Sequence, residues 1–293
     1  MTQPVLKLGL PKGSLEAATF DLMARAGFEV EEAARSDVRR TSDPELTVLM
    51  FRAQELSRYV DDGVLDAGLT GKDWIAENRS RVHLVRDFIY SKARMVPVRW
   101  VLAVADETPV RRPEDLEGGL VATELVNVTK AYFRKRGIAV KVESSWGSTE
   151  IKARFPGVDA IVDVTETGST LRANRLREVA TVMESNTQFI ANRAAWQDEW
   201  KRDKIENLAL LLQGAIDAKE MVGLKMNVPA DLEDAIKAML PAERSPTVNR
   251  LVEPGWLAFE VILPASEERT LVPRLKKAGA TGIIVYPLTK IIH

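Results

Sequence analysis

The sequence predicts an α/β fold in which two lobes flank a cleft and a small domain of βαββαβ order follows. Three observations carry this. Apolar runs repeatedly lead into turns of small residues and then into helices, the pattern of parallel sheets that hold ligands at the carboxyl ends of their strands. A late apolar stretch, Val182–Ala191, reads as strands crossing back toward the first lobe. Beyond a long amphipathic segment, strand and helix signals alternate once more, in the order of a ferredoxin-like unit.

The elements follow in order. Val5–Leu10 is a short apolar strand running into Pro11-Lys12-Gly13-Ser14 and a helix over Leu15–Ala26, which Gly27 closes. Leu46–Phe51 is a strand, followed by Arg52 and a helix through Leu56, Tyr59 and Val60. Val64–Leu69 feeds Thr70-Gly71-Lys72-Asp73 and a helix near Trp74. The second lobe has strands at Trp100–Val104, Leu120–Thr123 and Val140–Val142, with a helix through Tyr132 and Phe133 that Gly137 ends. Trp146–Glu150 starts a helix toward Phe155. Two lobes joined by crossing strands resemble bilobal, periplasmic-binding-protein-like folds. Residues 1–97 would form lobe I, rejoined by about 186–215, and residues 98–185 lobe II. Trp196–Met221 has apolar positions at helical spacing and a charged face, which predicts a connecting helix. Residues 220–293 would then supply strand Leu224–Val228, helix Asp231–Leu240, strands Thr247–Leu251 and Trp256–Leu263, helix Glu267–Ala278 and strand Gly282–Tyr286.

Asp159–Thr170, reading DAIVDVTETGST, carries the most chemistry. Ala160, Ile161, Val162 and Val164 form a buried strand, and helical spacing resumes through Leu171, Leu176 and Val179. The loop between them therefore opens a helix. Gly168 allows close backbone approach, and Thr167, Ser169 and Thr170 supply amides and hydroxyls where a helix start attracts anions. Asp163 and Glu166 repel a bare phosphate but suit ribose hydroxyls or a divalent cation accompanying a diphosphate. A phosphorylated sugar satisfies both halves. A plain helix cap with solvated acids competes for the loop taken alone. Lys12, Gly13 and Ser14 repeat the arrangement with a cation added, and Thr70, Gly71 and Lys72 repeat it again.

Composition narrows the chemistry. The 293 residues are 45% hydrophobic and 28% charged, with 41 basic against 42 acidic side chains, so no basic footprint points to nucleic acid. No stretch approaches the ~18 apolar residues of a spanning helix and no export signal opens the chain, which reads as cytoplasmic with no membrane partner. Cysteine is absent and only His83 and His293 represent histidine. Thiolate nucleophiles, histidine triads and multi-histidine metal sites are thereby disfavoured. Carboxylates, hydroxyls, amides, Lys and Arg remain, an inventory suited to positioning and electrostatics with Mg2+.

Taken together, GLPKGSL, DAGLTGKD at 66–73, Ala122-Thr123-Glu124 and DAIVDVTETGSTLRAN resemble the long form of ATP phosphoribosyltransferase in order and spacing, across nearly the whole chain. The C-terminal unit, with Glu243-Arg244-Ser245-Pro246-Thr247 and Gly279-Ala280-Thr281-Gly282, is similar to that family's regulatory domain. The resemblance implies that ATP and 5-phosphoribosyl pyrophosphate combine, with Mg2+, to N1-(5-phosphoribosyl)-ATP and pyrophosphate. It implies that Thr167, Gly168, Ser169 and Thr170 hold the 5′-phosphate, and that Asp163 and Glu166 serve the ribose, Asp163 also as a metal contact. Lys12, Gly13, Ser14, Thr70, Gly71 and Lys72 would meet the phosphates of ATP or pyrophosphate. It further implies a cytoplasmic hexamer inhibited by histidine through Asn227, Thr247 and Gly282. Three positions depart from the family pattern: Ser14 stands where Arg is common, leaving Arg52 or Arg172 to supply a guanidinium; Arg175 replaces a frequent Gly; and Asn227 replaces an acid found in some relatives. A non-enzymatic bilobal sensor, closing on a ligand, is the competing expectation.

Overall fold

The computed structural model describes residues 4–31, 36–89, 97–241 and 246–293. They divide into two compact units, Met1–Ala209 and Leu210–His293. Glu243–Ser245, part of the C-terminal motif above, lie outside the described residues.

The first unit begins with β1 (Leu6–Lys12), α1 (Glu16–Ala26), β2 (Val38–Arg40), β3 (Leu46–Arg52), α2 (Ala53–Asp61), β4 (Ala67–Gly71), α3 (Lys72–Asn78) and β5 (His83–Phe88). A second sheet follows, from β6 (Val98–Ala105), β7 (Leu120–Thr123), α4 (Val126–Lys135), β8 (Lys141–Ser144), α5 (Thr149–Lys152), β9 (Ala160–Thr165), α6 (Ser169–Ala173) and β10 (Leu176–Ser185). The chain then re-enters the first sheet as β11 (Thr187–Ala191), which sits between β4 and β5 in the order β2-β3-β1-β4-β11-β5. The second sheet has the order β10-β6-β9-β7-β8. Two α/β lobes, each with its own sheet and joined by two crossings, form the expected bilobal core.

Both sheets are mixed rather than parallel throughout. Strands β3, β1 and β4 run parallel, as do β9, β7 and β8, whereas β2, β11 and β6 pair antiparallel with their neighbours. The parallel trios matter most, because they bring the carboxyl ends of several strands to one edge. Burial explains their sequences. Leu6, Leu8 and Leu10 of β1 and Ala160, Ile161 and Val162 of β9 are all fully buried, as expected of strands covered on both faces.

The helix predicted over Leu171–Val179 is not formed. α6 ends at Ala173, Arg175 adopts a left-handed backbone (φ 54°), and Leu176–Ser185 becomes β10, antiparallel to β6 with two register shifts. Leu171 and Leu176 do share one apolar cluster with Ile161, while Val179 packs against another. One helical turn followed by a strand buries the same leucines that suggested a helix. The helix toward Phe155 is likewise reduced to Thr149–Lys152. The connector breaks at Asp198, whose extended backbone separates α7 (Arg193–Gln197) from α8 (Glu199–Asp217); Asn192 caps α7 by accepting from the amides of Ala194 and Ala195.

The second unit contains β12 (Met221–Pro229), a 3-10 turn at Ala230–Leu232, α9 (Glu233–Lys237), β13 (Thr247–Arg250), β14 (Trp256–Pro264), α10 (Ala265–Lys277) and β15 (Thr281–Pro287). Its order β13-β14-β12-β15, antiparallel throughout, is that of two interleaved βαβ units, hence the ferredoxin-like fold. The helix predicted over Asp231–Leu240 shrinks to the 3-10 turn and α9. Alternation in β12 buries Leu224, Met226 and Val228 against α9 and α10 and leaves Lys225 and Asn227 on the opposite face.

Candidate active site

A cleft of about 1140 Å³ lies in the first unit and is walled by both lobes. Lobe I contributes Lys12, Gly13, Ser14 and Glu16 after β1, Arg52 at the end of β3, and Gly71 and Asp73 after β4. Lobe II contributes Glu124 after β7 and Val164, Thr165, Glu166, Thr167, Ser169 and Thr170 around the end of β9. Trp100, Ser185, Asn186 and Thr187, near the crossings, also line it.

The lobe II loop is prefolded. Thr165 is the last residue of β9, and its hydroxyl accepts the Gly168 amide at 2.7 Å. Thr167 Oγ1 bonds Ser169 Oγ at 3.0 Å and accepts the Ser169 amide at 3.4 Å. Gly168 has φ 71°, and a Cβ there would come within 2.9 Å of an Arg172 guanidinium nitrogen. The positive φ favours glycine, and the Arg172 side chain would have to move for any larger residue. Arg172 therefore backs the loop and is absent from the cleft wall, whereas Arg52 is on the wall and pairs in register with Lys12.

The lobe I turn is arranged differently. Gly13 has φ 85° with open space on its Cβ side. Its amide donates to Glu16 Oε2 at 3.2 Å, and Lys12 Nζ pairs with Asp37 at 2.5 Å. Carboxylates of the chain itself occupy both anion-seeking groups.

Of the residues singled out in the sequence, Lys12, Gly13, Ser14, Gly71, Glu166, Thr167, Ser169 and Thr170 meet around this cleft. Asp163, Gly168, Thr70 and Lys72 do not form its wall. The buried Thr70 hydroxyl donates to the Ala53 carbonyl at 2.9 Å, tying β4 to α2. Lys72 is exposed, and its amide donates to the Asn186 carbonyl. Asp163 is half-buried beside Val164, and desolvation pushes its carboxyl up to about 6, with Glu150 and Glu124 adding repulsion and the Val164 amide opposing. In the second unit, Asn227 and Gly282 adjoin, a Gly282 Cβ falling 3.3 Å from Asn227 Nδ2. Thr247 lies two strands from Asn227, opposite Glu260 of β14.

Sequence reasoning missed the buried pair at the back of the cleft. Asp73 accepts the Trp100 indole N–H at 2.6 Å, and burial raises the Asp73 carboxyl despite that bond. A carboxylate following Thr-Gly-Lys was visible, but no spacing links it to a tryptophan on the other sheet.

Among the described residues no group of three or more His, Cys, Asp or Glu side chains is placed to hold a metal ion. The cleft wall they form nevertheless carries four acids, Glu16, Asp73, Glu124 and Glu166, against two cations, Lys12 and Arg52. A diphosphate alone would meet net repulsion there, whereas one accompanied by a divalent cation would not.

The family model of HisG, ATP phosphoribosyltransferase, matches residues 52–214, and that of the HisG C-terminal domain matches residues 218–290. An ATP phosphoribosyltransferase of Chlorobium phaeovibrioides is 54% identical over 289 residues, 98% of either chain. The chain belongs to the ATP phosphoribosyltransferase family. A second ATP phosphoribosyltransferase, from Pelotomaculum thermopropionicum, is 53% identical over 287 residues, covering 98% of this chain and 99% of its own. A chain of the ATP phosphoribosyl transferase (HisG:HisZ) complex from Thermotoga maritima superposes with a TM-score of 0.61 at 26% identity, covering 71% of this chain and 99% of that one. ATP phosphoribosyltransferase membership makes the chain a transferase of histidine biosynthesis, and nothing in these likenesses supports the non-enzymatic sensor.

Proposed function

We propose that the cleft joins ATP to 5-phosphoribosyl pyrophosphate, giving N1-(5-phosphoribosyl)-ATP and pyrophosphate. The observation that carries the residue assignment is the facing of two phosphate-directed turns, Lys12–Ser14 and Glu166–Thr170, across one space. The Thr165–Thr170 loop holds the 5′-phosphate through hydroxyls and amides, with Gly168 shaping it from behind. Glu166 faces the ribose, and Asp163, just off the described cleft wall, backs it from the strand end. Lys12, Gly13, Ser14, Arg52 and Gly71 meet the diphosphate or the triphosphate of ATP.

In the reaction the adenine N1 lone pair forms a bond to ribose C1 while the C1–oxygen bond to pyrophosphate breaks. No proton need be removed from N1, so no general base is required, which suits a cleft whose described wall contains no histidine. Carboxylates near the ribose stabilise oxocarbenium character, and Lys12 and Arg52 take up charge on the departing diphosphate. Mg2+ bound with that diphosphate supplies further neutralisation. The excess of acids on the described wall supports a cation accompanying the substrate's diphosphate.

The reading extends to the second unit as a regulatory domain that binds histidine around Asn227, Thr247 and Gly282 within a hexamer. No helix among the described residues is long and apolar enough to cross a membrane, which agrees with a cytoplasmic enzyme. The direct test mixes purified protein with ATP, 5-phosphoribosyl pyrophosphate, Mg2+ and pyrophosphatase and follows the ultraviolet absorbance of the adduct. Absence of adduct at every enzyme concentration rules the reaction out. Histidine should suppress adduct formation in the full chain and lose its effect in Asn227→Ala if the regulatory assignment is right.

A further inference from the structure

We propose that Asp73 and Glu77, one turn apart on α3, are positioning residues that fix the spacing between the two walls of the cleft. α3 belongs to lobe I by sequence, but both of its buried carboxylates reach lobe II, Asp73 through Oδ2 while its Oδ1 accepts the Trp74 amide at 2.9 Å. Asp73, 5% exposed, accepts from the Trp100 indole on β6 at 2.6 Å. The Asp73 amide in turn donates to Ser185 Oγ at the end of β10, and Trp74 stands edge-on to Trp100 at 6.1 Å. Glu77, 9% exposed, accepts the amides of Asn127 at 2.9 Å and Val128 at 3.0 Å, in the first turn of α4. Asn127 Nδ2 returns a bond to the Glu77 carbonyl at 3.0 Å, and Arg79 donates to Asn127 Oδ1 at 3.3 Å.

The geometry is specific to a latch. A Cβ on Gly71 would sit 2.0 Å from Asp73 Oδ1, so the carboxylate can be held in this orientation only beside a glycine. Buried charged acceptors are costly to leave unpaired, which makes separation of the lobes unfavourable at two points on one rigid turn. Bond formation between groups held on opposite walls needs near-contact geometry, and a displacement of about 1 Å costs about 100-fold in rate. Through Glu77, which is not part of the described cleft wall, α3 thereby acts on turnover without touching substrate. The effect on turnover rests on the reaction proposed above; the effect on spacing does not.

The absence of cysteine allows a direct test. Spin labels at Arg58→Cys on α2 and Arg134→Cys on α4, both exposed positions, report the interlobe distance by pulsed electron resonance without any ligand. The labelled parent should give one narrow distribution, and Glu77→Ala should broaden or shift it. Turnover of unlabelled Glu77→Ala should fall at least about tenfold. Glu77→Gln, which keeps one acceptor, should fall between the parent and Glu77→Ala in both measurements and serves if Glu77→Ala does not fold. An unchanged distance distribution in the folded variant overturns the latch. A changed distribution with unaltered turnover overturns its role in the reaction while leaving the latch standing.

Discussion

On the proposed assignment, the two turns that face each other across the cleft would bind anions by opposite means. The lobe I turn relies on charge, and that charge is already committed: Lys12 pairs with Asp37, and Glu16 accepts from the Gly13 amide. The lobe II loop presents no lysine or arginine on the described wall and relies on shape, with Thr165 accepting the amide of a left-handed Gly168 and Thr167 bonded to Ser169. The first must exchange partners when a ligand arrives, whereas the second is organised beforehand. A preorganised site loses most when its backbone is disturbed, and a self-neutralised one gains or loses by single charges.

That contrast is broken most severely at Gly168. Gly168→Val combines a positive φ with a clash against Arg172, and is expected to weaken 5-phosphoribosyl pyrophosphate binding by about 100-fold or more by calorimetry. Unchanged affinity would remove the phosphate from this loop. Lys12→Ala should weaken pyrophosphate inhibition by about tenfold, measured as the inhibition constant at fixed Mg2+. Glu16→Gln should move it the other way, tightening pyrophosphate by about fivefold, because a neutral amide competes less well than a carboxylate for the Gly13 amide and repels no phosphate. If Lys12→Ala has its effect and Glu16→Gln has none, the turn binds phosphate but Glu16 does not guard it.

The smallest effect concerns Asp163. Its folded pKa, about 6, lies above the ordinary 3.8, so the folded state keeps this proton to higher pH than the unfolded chain does. The stability it contributes is complete below about pH 4 and is lost as pH rises through 6. Asp163→Asn should therefore flatten the fall in melting temperature between those limits. A melting profile identical to that of the parent would contradict the raised pKa.

Legibility in the sequence followed the same division between local and distant causes. The strand at Ala160–Thr165 and the turns at Lys12–Ser14 and Thr165–Thr170 were readable because a continuous apolar run and the small residues after it encode their own backbone. β2 and β5 were not read, since Val38-Arg39-Arg40 and His83–Phe88 mix charge into sheet-edge strands whose neighbours, not whose pattern, make them strands. The start of β10 was misread, although its end from Val182 was read as strand, because Arg175 takes a left-handed turn with no glycine to announce it. Within the site, period-two alternation separates Val164 on the wall from Asp163 off it, a distinction of one residue that a motif does not express. The Asp73–Trp100 bond joins residues 27 apart on different lobes, and only the packing of the lobes creates it.

The insertion of β11 between β4 and β5 also dictates an order of assembly during synthesis. Until Thr187–Ala191 leaves the ribosome, β4 keeps an unsatisfied edge, and β5, whose described pairing is to β11 alone, has no partner in the sheet. At ordinary translation rates that interval, from β4 to β11, lasts on the order of ten seconds. Lobe II, whose strands lie between those points in the chain, can close first, leaving lobe I exposed to wrong pairing for the longer time. Lobe I is thus made early and completed late, and its open strand edge is the part of the growing chain most exposed to wrong pairing.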